Sequence, residues 1–427
     1  MLKRAVRLGM PAALQITLQG ISFVTAFLLI RTLSIADYAI YSGFLVLSQA
    51  LMSACDLGAV SSIGYFYKKV ERQAALFLRY FRAVVQVRSF LFVIVAVILY
   101  PALFFGSSLG SQVTALPLLI AISIATSVFQ ASYGTTATAL RFVSPNGVVT
   151  SLVIEVFSSV ARLALIGLII TLLAFDSART ALLITAIVAA AQAIASWRAL
   201  NRHLPPHKEM GNDPAPLPRR EVLSYVLPII PGGLYHSLQP LLLTWLAAYN
   251  GGLRQIAEVS VLGRIGLVFG VLSFVVSYQI IPALARADSQ AQFLRVYFKS
   301  AIGMIVLLLA ALAGGFLFPS QIMSLAGAKY SALDAFLPVA LAAAVLQIIG
   351  GFAVSVLRLE GWNRFEPACT ILQILGQVAW ILLVPINSTH DIIVFSFVST
   401  SLYCLPYILL NVLGLLAPQA FEQRPSA

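Results

Sequence analysis

Arg198-Ala-Leu-Asn-Arg202-His-Leu-Pro205-Pro206-His-Lys208-Glu-Met-Gly-Asn-Asp-Pro214-Ala-Pro216-Leu-Pro218-Arg219-Arg220-Glu221-Val-Leu-Ser224 is the one long polar, proline-rich stretch in this chain. Pro205, Pro206, Pro214, Pro216 and Pro218 deny it a continuous helix. Arg198, Arg202, Lys208, Arg219 and Arg220 make it basic. Apolar sequence of nearly equal length lies on either side. We read it as a hinge between two structurally repeated lobes.

Composition sets the medium. The chain has 427 residues, 60% hydrophobic and only 10% charged, with a mean hydropathy of +0.95. Soluble domains carry about 25% charged residues, so this is an all-α polytopic membrane protein rather than a large soluble core. The net charge of +12 suggests nucleic acid at first sight. Most of that charge falls in short connections between apolar runs, so membrane topology explains it better and no nucleic-acid partner is expected. Cys55, Cys369 and Cys404 all fall in apolar runs and read as core residues, not as a disulfide or metal set. Lys3, Arg4 and Arg7 before an apolar run mimic a signal peptide. The run is too long and lacks a small-residue cleavage site, so it reads as a retained first span.

A membrane helix needs roughly 20 apolar residues. Twelve stretches qualify. Before the hinge they are about 11–31, 38–66, 89–105, 116–140, 148–174 and 181–198. After it come about 226–249, 258–281, 300–318, 335–357, 367–386 and 392–416. With the N-terminus in the cytoplasm, 21 of the 27 Lys and Arg residues fall in cytoplasmic segments. Four (Arg31, Arg179, Arg254, Lys329) fall outside, and Arg162 and Arg264 fall inside spans. That asymmetry puts both termini and the hinge in the cytoplasm. The expected organisation is a six-helix lobe at 1–198, a hinge at 199–224, a second six-helix lobe at 225–417 and a tail at 418–427.

An internal repeat supports two lobes. Gln73-Ala-Ala-Leu-Phe-Leu-Arg79-Tyr80-Phe81-Arg82 matches Gln290-Ala-Gln-Phe-Leu-Arg295-Val-Tyr297-Phe298-Lys299 at an offset of 217. Leu140-Arg141 matches Leu357-Arg358 at the same offset, and Ala36-Asp37 matches Ala257-Glu258 at 221. Both copies begin on the cytoplasmic side, so the lobes are expected to be related by an axis along the membrane normal. Both basic segments are expected as short helices on the cytoplasmic leaflet. In the first, Leu76, Phe77, Tyr80, Phe81 and Val84 recur at helical spacing, with Arg72, Arg79 and Arg82 facing anionic membrane lipids.

Ionisable groups within spans are costly and face a bundle interior or a wet cavity. Asp56 in span 2 and Glu155 in span 5 are the candidates for ion coupling. Arg162 is seven residues from Glu155, two turns along the same face. Mid-span it has no easy route to an interface, and its guanidinium suits an anionic ligand. Arg264 is a second cation of this kind. Arg31 and Glu258 read as span-end groups. Span 7, Pro228-Ile-Ile-Pro231-Gly232-Gly233-Leu-Tyr235-His236-Ser237-Leu-Gln239-Pro240, is expected to kink or break. Broken backbone at membrane depth lines protein or water, which makes Tyr235, His236 and Gln239 cavity candidates. Span 1 echoes it with Pro11, Gln15, Thr17, Gln19 and Ser22. Gly266-x-x-x-Gly270 allows close helix approach. No phosphate-binding loop, nucleophile elbow or zinc spacing occurs in the sequence, so no cofactor, metal or catalytic residue is expected.

Several stretches resemble the polysaccharide transporter family. These are the O-antigen type, lipid-linked oligosaccharide flippases of the multidrug/oligosaccharidyl-lipid/polysaccharide exporter superfamily. Arg31-Thr-Leu-Ser-Ile-Ala-Asp37-Tyr38-Ala-Ile-Tyr41 is similar to the family's R-x-L-S-x-x-D/E-Y/F-G-x-Y turn, with Ala39 in place of Gly. Asp56-Leu57-Gly58, Ile281-Pro282-Ala-Leu-Ala-Arg286 and Leu325-Ala-Gly327-Ala-Lys-Tyr330 resemble its D-L-G, P-x-x-S/A-R and F-G-x-x-Y/F marks. The family's acidic residue late in span 7 is replaced by Thr244-Trp245-Leu246. The resemblance implies twelve helices in two lobes and alternating access. It implies outward movement of a polyprenyl-diphosphate-linked oligosaccharide across the bacterial inner membrane, with a polysaccharide polymerase and glycosyltransferases as partners. Two other readings compete. One is a cation-coupled drug antiporter of the same superfamily, whose cavity should be net acidic. The other is a membrane polymerase or ligase, for which the only candidate outer histidine is His390.

Overall fold

The computed structural model describes residues 2–56, 60, 62–63, 66–67, 70, 73–106, 116–144, 146–173, 177–204, 217–227, 230–266, 269–276, 280–285, 287, 289–360, 362 and 365–416. The prolines at 205–216, Lys68, Lys69 and Arg72, Leu57-Gly58, Pro228, Arg286 and the tail from 417 lie outside them. Among the described residues, structure is helical throughout and ten helices are long and apolar enough to cross a membrane. An eleventh appears if a bent pair after the hinge counts as one span. The chain divides into two compact units, Met1–Ala257 and Glu258–Ala427.

The first unit holds α1 (Leu2–Thr32), α2 (Ile35–Asp56), α3 (Ala74–Gly106), α4 (Leu116–Val143), α5 (Gly147–Leu173) and α6 (Ala178–Asn201). These are the six spans expected before the hinge. Helix α4 packs most extensively on α6, α2 on α4, and α1 on α5. The turn Arg31–Tyr38 has a local cause. Ser34 donates its hydroxyl to Asp37 Oδ2 at 2.6 Å and accepts the Asp37 amide N–H at 3.0 Å. That reciprocal cap starts α2. Asp37 Oδ1 also accepts the Ala178 amide N–H at 3.2 Å, which ties this turn to the start of α6.

The basic segment before span 3 differs from its sequence reading. It is not a separate helix on a leaflet but the first turns of a single 33-residue α3. Phe77, Phe81 and Val84 are buried together with Ile63, Phe66, Leu140 and Leu200. Burial of each large apolar side chain is worth about 1.5–3 kcal/mol where water is the alternative. This core favours docking inward over lying on lipid. The second copy behaves alike: Gln290 opens the 28-residue α11 (Gln290–Leu317), started by the Ser289 cap, with Phe293 buried.

Both ends of the stretch read as a hinge are helical. After α6 ends, residues Arg219–Val226 form α7, whose Val222 and Val226 enter the same core as Phe77 and Phe81. Tyr80 donates to Glu221 Oε2 at 2.7 Å, and Arg219 Nε donates to Gln86 Oε1 at 2.6 Å. Helix α7 is thus latched onto α3. A bend of 64° separates it from α8 (Ile230–Gly266). The expected kink of Pro228–Pro240 is this bend at its start, between Val226 and Ile230, after which α8 runs through Pro231, Gly232, Gly233 and Pro240. A second interruption, which the sequence did not mark, lies at Gly252, with φ 64° and ψ −149°. A side chain there would be strained. Expected spans 7 and 8 therefore meet at a one-residue turn, not across a loop.

In the second unit, the rest of span 8 continues as α9 (Gly270–Val275) and α10 (Ile281–Ala285). These pieces fall short of a full span each, which is why fewer than twelve long helices are counted. Then come α11, α12 (Pro319–Ser324), a 3-10 helix at Ala328–Phe336, α13 (Leu337–Leu359), α14 (Glu366–Leu383) and α15 (Thr389–Leu416). Gly327, at φ 96°, opens the 3-10 helix and Tyr330 is buried in it, which explains the glycine and tyrosine of that mark. A Cβ on Gly266 would lie 3.1 Å from the Ala344 Cβ, so this glycine does permit a close approach. The pairing of α13 with α15 matches that of α4 with α6. Glu258 Oε2 accepts the Thr389 hydroxyl at the start of α15, as Asp37 ties to the start of α6. The repeat read from the sequence thus recurs as the same tie in each unit.

Candidate transport site

Charge inside an apolar helix must be offset by a partner, so the partners decide what each charge is for. Asp56 closes α2, and its Oδ1 accepts the Val60 amide N–H at 2.8 Å. It also lies within electrostatic reach of Arg88. The sequence reading put Arg88 in a cytoplasmic connection. The structure places it well inside α3, 6% exposed. Its guanidinium donates to the Ala131 carbonyl at 2.7 Å and to the Thr135 hydroxyl, while Nε has no partner. The signal was present: Phe77, Phe81, Val84, Arg88, Leu91 and Val95 recur every three or four residues and are all buried. Arg88 belongs to that stripe, and Asp56 one helix earlier supplies the opposite charge.

Glu155 is likewise engaged, but not with Arg162. It faces Tyr133 and Arg141 on α4. Arg141 also donates to Ser151 Oγ at 3.3 Å, and Tyr133 donates to the Ser151 carbonyl at 3.1 Å. The structure therefore does not bring Asp56 and Glu155 into one acidic site, since each lies in the field of a different arginine.

Arg162 remains half-buried on α5. It lines a polar pocket of about 50 Å³ with Gln130 of α4, Ser158 and Ser159 of α5, and Thr185 and Gln192 of α6. Arg162 Nε and Gln130 Oε1 are buried there without hydrogen-bond partners. No carboxylate lines the pocket. Its volume suits one or two waters, each occupying about 30 Å³ in the liquid. Gln130 and Gln192 escaped the sequence reading because a glutamine in an apolar helix says nothing about direction.

The other candidates are distributed. Gln15 and Gln19 are half-buried on α1, the helix that packs on α5. Tyr235, His236 and Gln239 are half-buried on the first turns of α8. The Tyr235 and His236 rings meet edge-on with centroids 5.4 Å apart, and the Tyr235 hydroxyl is buried without a partner. Arg264 is half-buried near the end of α8 and belongs to the second unit. Cys55, Cys369 and Cys404 are buried and free.

No protein-family model matches the sequence, and no curated protein matches it either. Solved structures do. An inward-facing multidrug resistance MATE family transporter of the MOP superfamily superposes with a TM-score of 0.61 at 14% identity, over 98% of this chain and 99% of that one. A MATE in complex with MaD3S gives 0.65 at 16% identity, over 97% and 96% of the two chains. A point mutant of the Vibrio cholerae MATE transporter VcmN gives 0.59 at 13% identity, over 99% and 98%. Nearly the whole chain thus carries the fold of the MATE transporters of the MOP superfamily, that of a multi-pass membrane protein.

Proposed function

We propose that this protein is a secondary transporter of the bacterial inner membrane that exports an amphipathic cargo by alternating access. The observation that carries this reading is the likeness to MATE structures along nearly the full length of both chains. The neighbouring structures include ones described as multidrug resistance transporters, and this favours cation-coupled drug or small-molecule antiport as the first reading of the cargo.

The lipid-linked oligosaccharide reading is the second. It rests on the sequence marks around Arg31–Tyr41, Asp56, Ile281–Arg286 and Leu325–Tyr330. One structural feature favours it: Arg88 offsets Asp56 and Arg141 faces Glu155, so Arg162 is the cation without a facing acid in its pocket. An interior with no surplus acid suits an anionic headgroup better than a cationic drug. In that case Gln15, Gln19, Tyr235, His236, Gln239 and Arg264 would meet the cargo, and a polymerase and glycosyltransferases would be its partners.

Two assays separate the readings. Proteoliposomes with an imposed proton or sodium gradient should move ethidium against its gradient if the first is right. A flippase-null strain should regain surface polysaccharide if the second is right. Failure of both would overturn the proposal of an exporter.

A further inference from the structure

Three helices of the first unit, α3, α4 and α6, enclose a groove of about 610 Å³. That volume lies within the range of ligand sites, roughly 300–1,000 Å³. Its walls share one polarity gradient. At one end lie Arg88 of α3, Ser132 and Thr135 of α4, and Arg198 of α6. Toward the other lie Phe92 and Val93 of α3 and Val128 of α4, with Ile194 of α6 between the two ends. Two contacts set the three helices in register: Arg88 bonds to Thr135, and the Thr136 and Ser196 hydroxyls meet at 2.6 Å. From that level α3 runs onward into apolar residues, while α4 and α6 arrive from them.

The charge at the polar end is one-signed. Arg88 and Arg198 line it and no carboxylate does. Asp56 lies within electrostatic reach of Arg88 from α2, and the buried Arg88 guanidinium is already bonded to Ala131 and Thr135, which leaves Arg198 as the exposed cation of the groove. Trp197, 47% exposed, stands beside Arg198. An aromatic next to an arginine at a helix end is the usual signature of a headgroup level. The apolar rim is open, with Val93 60% and Ile194 52% exposed. All the walls belong to one unit, so the groove is complete without the other.

We propose that this groove holds an anionic membrane phospholipid, its phosphate on the exposed Arg198 with Arg88 adding positive field from the wall, and one acyl chain along Phe92, Val93 and Val128. Arginine is suited to the headgroup because its planar fork binds phosphate oxygens bidentately. The open apolar rim lets the second chain remain in the bilayer. This proposal does not depend on the cargo, because a resident lipid is not transported.

The test uses the full-length protein, delipidated in detergent and titrated with phosphatidylglycerol or phosphatidylcholine, with binding read by native mass spectrometry and thermal unfolding. Phosphatidylglycerol should bind at least about tenfold more tightly and raise the unfolding temperature more. Arg198→Gln, at an exposed helix end, should abolish that preference. Ser132→Trp, at an exposed groove position, should block both lipids while the protein still purifies as a monodisperse species. Equal binding of the two lipids would overturn the proposal, as would an intact preference in either variant. Binding of undecaprenyl phosphate in place of phosphatidylglycerol would also overturn it, assigning the groove to a lipid-linked cargo.

Discussion

Single residues in this chain separate into those with local partners and those without. Asp37 has partners: it caps α2 through Ser34 and ties to Ala178 at the head of α6. Asp37→Ala removes an acceptor of charged hydrogen bonds. It should cost on the order of 1.5–3 kcal/mol, read as a lower unfolding temperature of the purified protein. Glu258→Ala should do the same in the second unit by releasing Thr389. Arg162 is the opposite case, with a buried Nε that has no acceptor among the described residues. Mid-helix cations cost about 2.5–3.5 kcal/mol to insert, so water or a ligand must offset that cost. Arg162→Ala should therefore insert and purify normally yet lose transport by at least about tenfold. Arg162→Lys should retain part of it, because the charge survives and the bidentate fork does not. Initial rates in proteoliposomes, or recovered surface polysaccharide in a flippase-null strain, measure this. A misfolded alanine variant would mark Arg162 as a structural residue.

At the scale of elements, the long α3 and the helix joints carry most of the specificity. Phe81 sits in the core shared by α3 and α7. Phe81→Ala should cost about 3–5 kcal/mol and release α7, detectable as faster proteolysis between residues 203 and 217. The joint between α4 and α5 depends on Gly147, whose Cβ would fall 2.0 Å from the Leu140 carbonyl oxygen. The obstacle is backbone, so it cannot swing aside. Gly147→Ala should destabilise by about 1–3 kcal/mol through overpacking. Gly43→Ala is the matched control in α2, because nothing lies within 4 Å of its added Cβ. It should be neutral or slightly stabilising, as alanine is the better helix former. Expression level and unfolding temperature of the two variants give the comparison. The sequence exposed the existence of these helices through length and hydropathy. It did not expose their joints, because a proline or glycine marks a possible break without saying whether the neighbours will take it. The Pro228–Pro240 stretch bends only at its start, Pro231, Gly232, Gly233 and Pro240 are absorbed into α8, and a second break falls at Gly252.

At the scale of the molecule, orientation follows from charge. Even without the buried Arg88, the 20-to-4 distribution of Lys and Arg read from the sequence predicts a cytoplasmic hinge. A reporter that is active only in the cytoplasm should work when fused at Asn212, whereas periplasmic activity there would refute the topology. By itself the sequence determined the helical membrane class, the approximate place of most spans and the two-fold repetition of the chain. Bulk apolar content and loop charge carry that information additively, so no contact need be known. It also singled out Arg162 as a cation that needs an explanation. What only the tertiary structure decided is how the charges are answered. Asp56 lies within electrostatic reach of Arg88, a residue 32 positions away that the sequence reading left in a connection. Glu155 turns to Arg141 and not to Arg162, two turns along its own helix. Gln130 and Gln192 close a pocket around Arg162 from two other helices. Each of these depends on the rotation of one helix against another. That rotation is set by packing across many residues at once, and no local pattern along the chain encodes it.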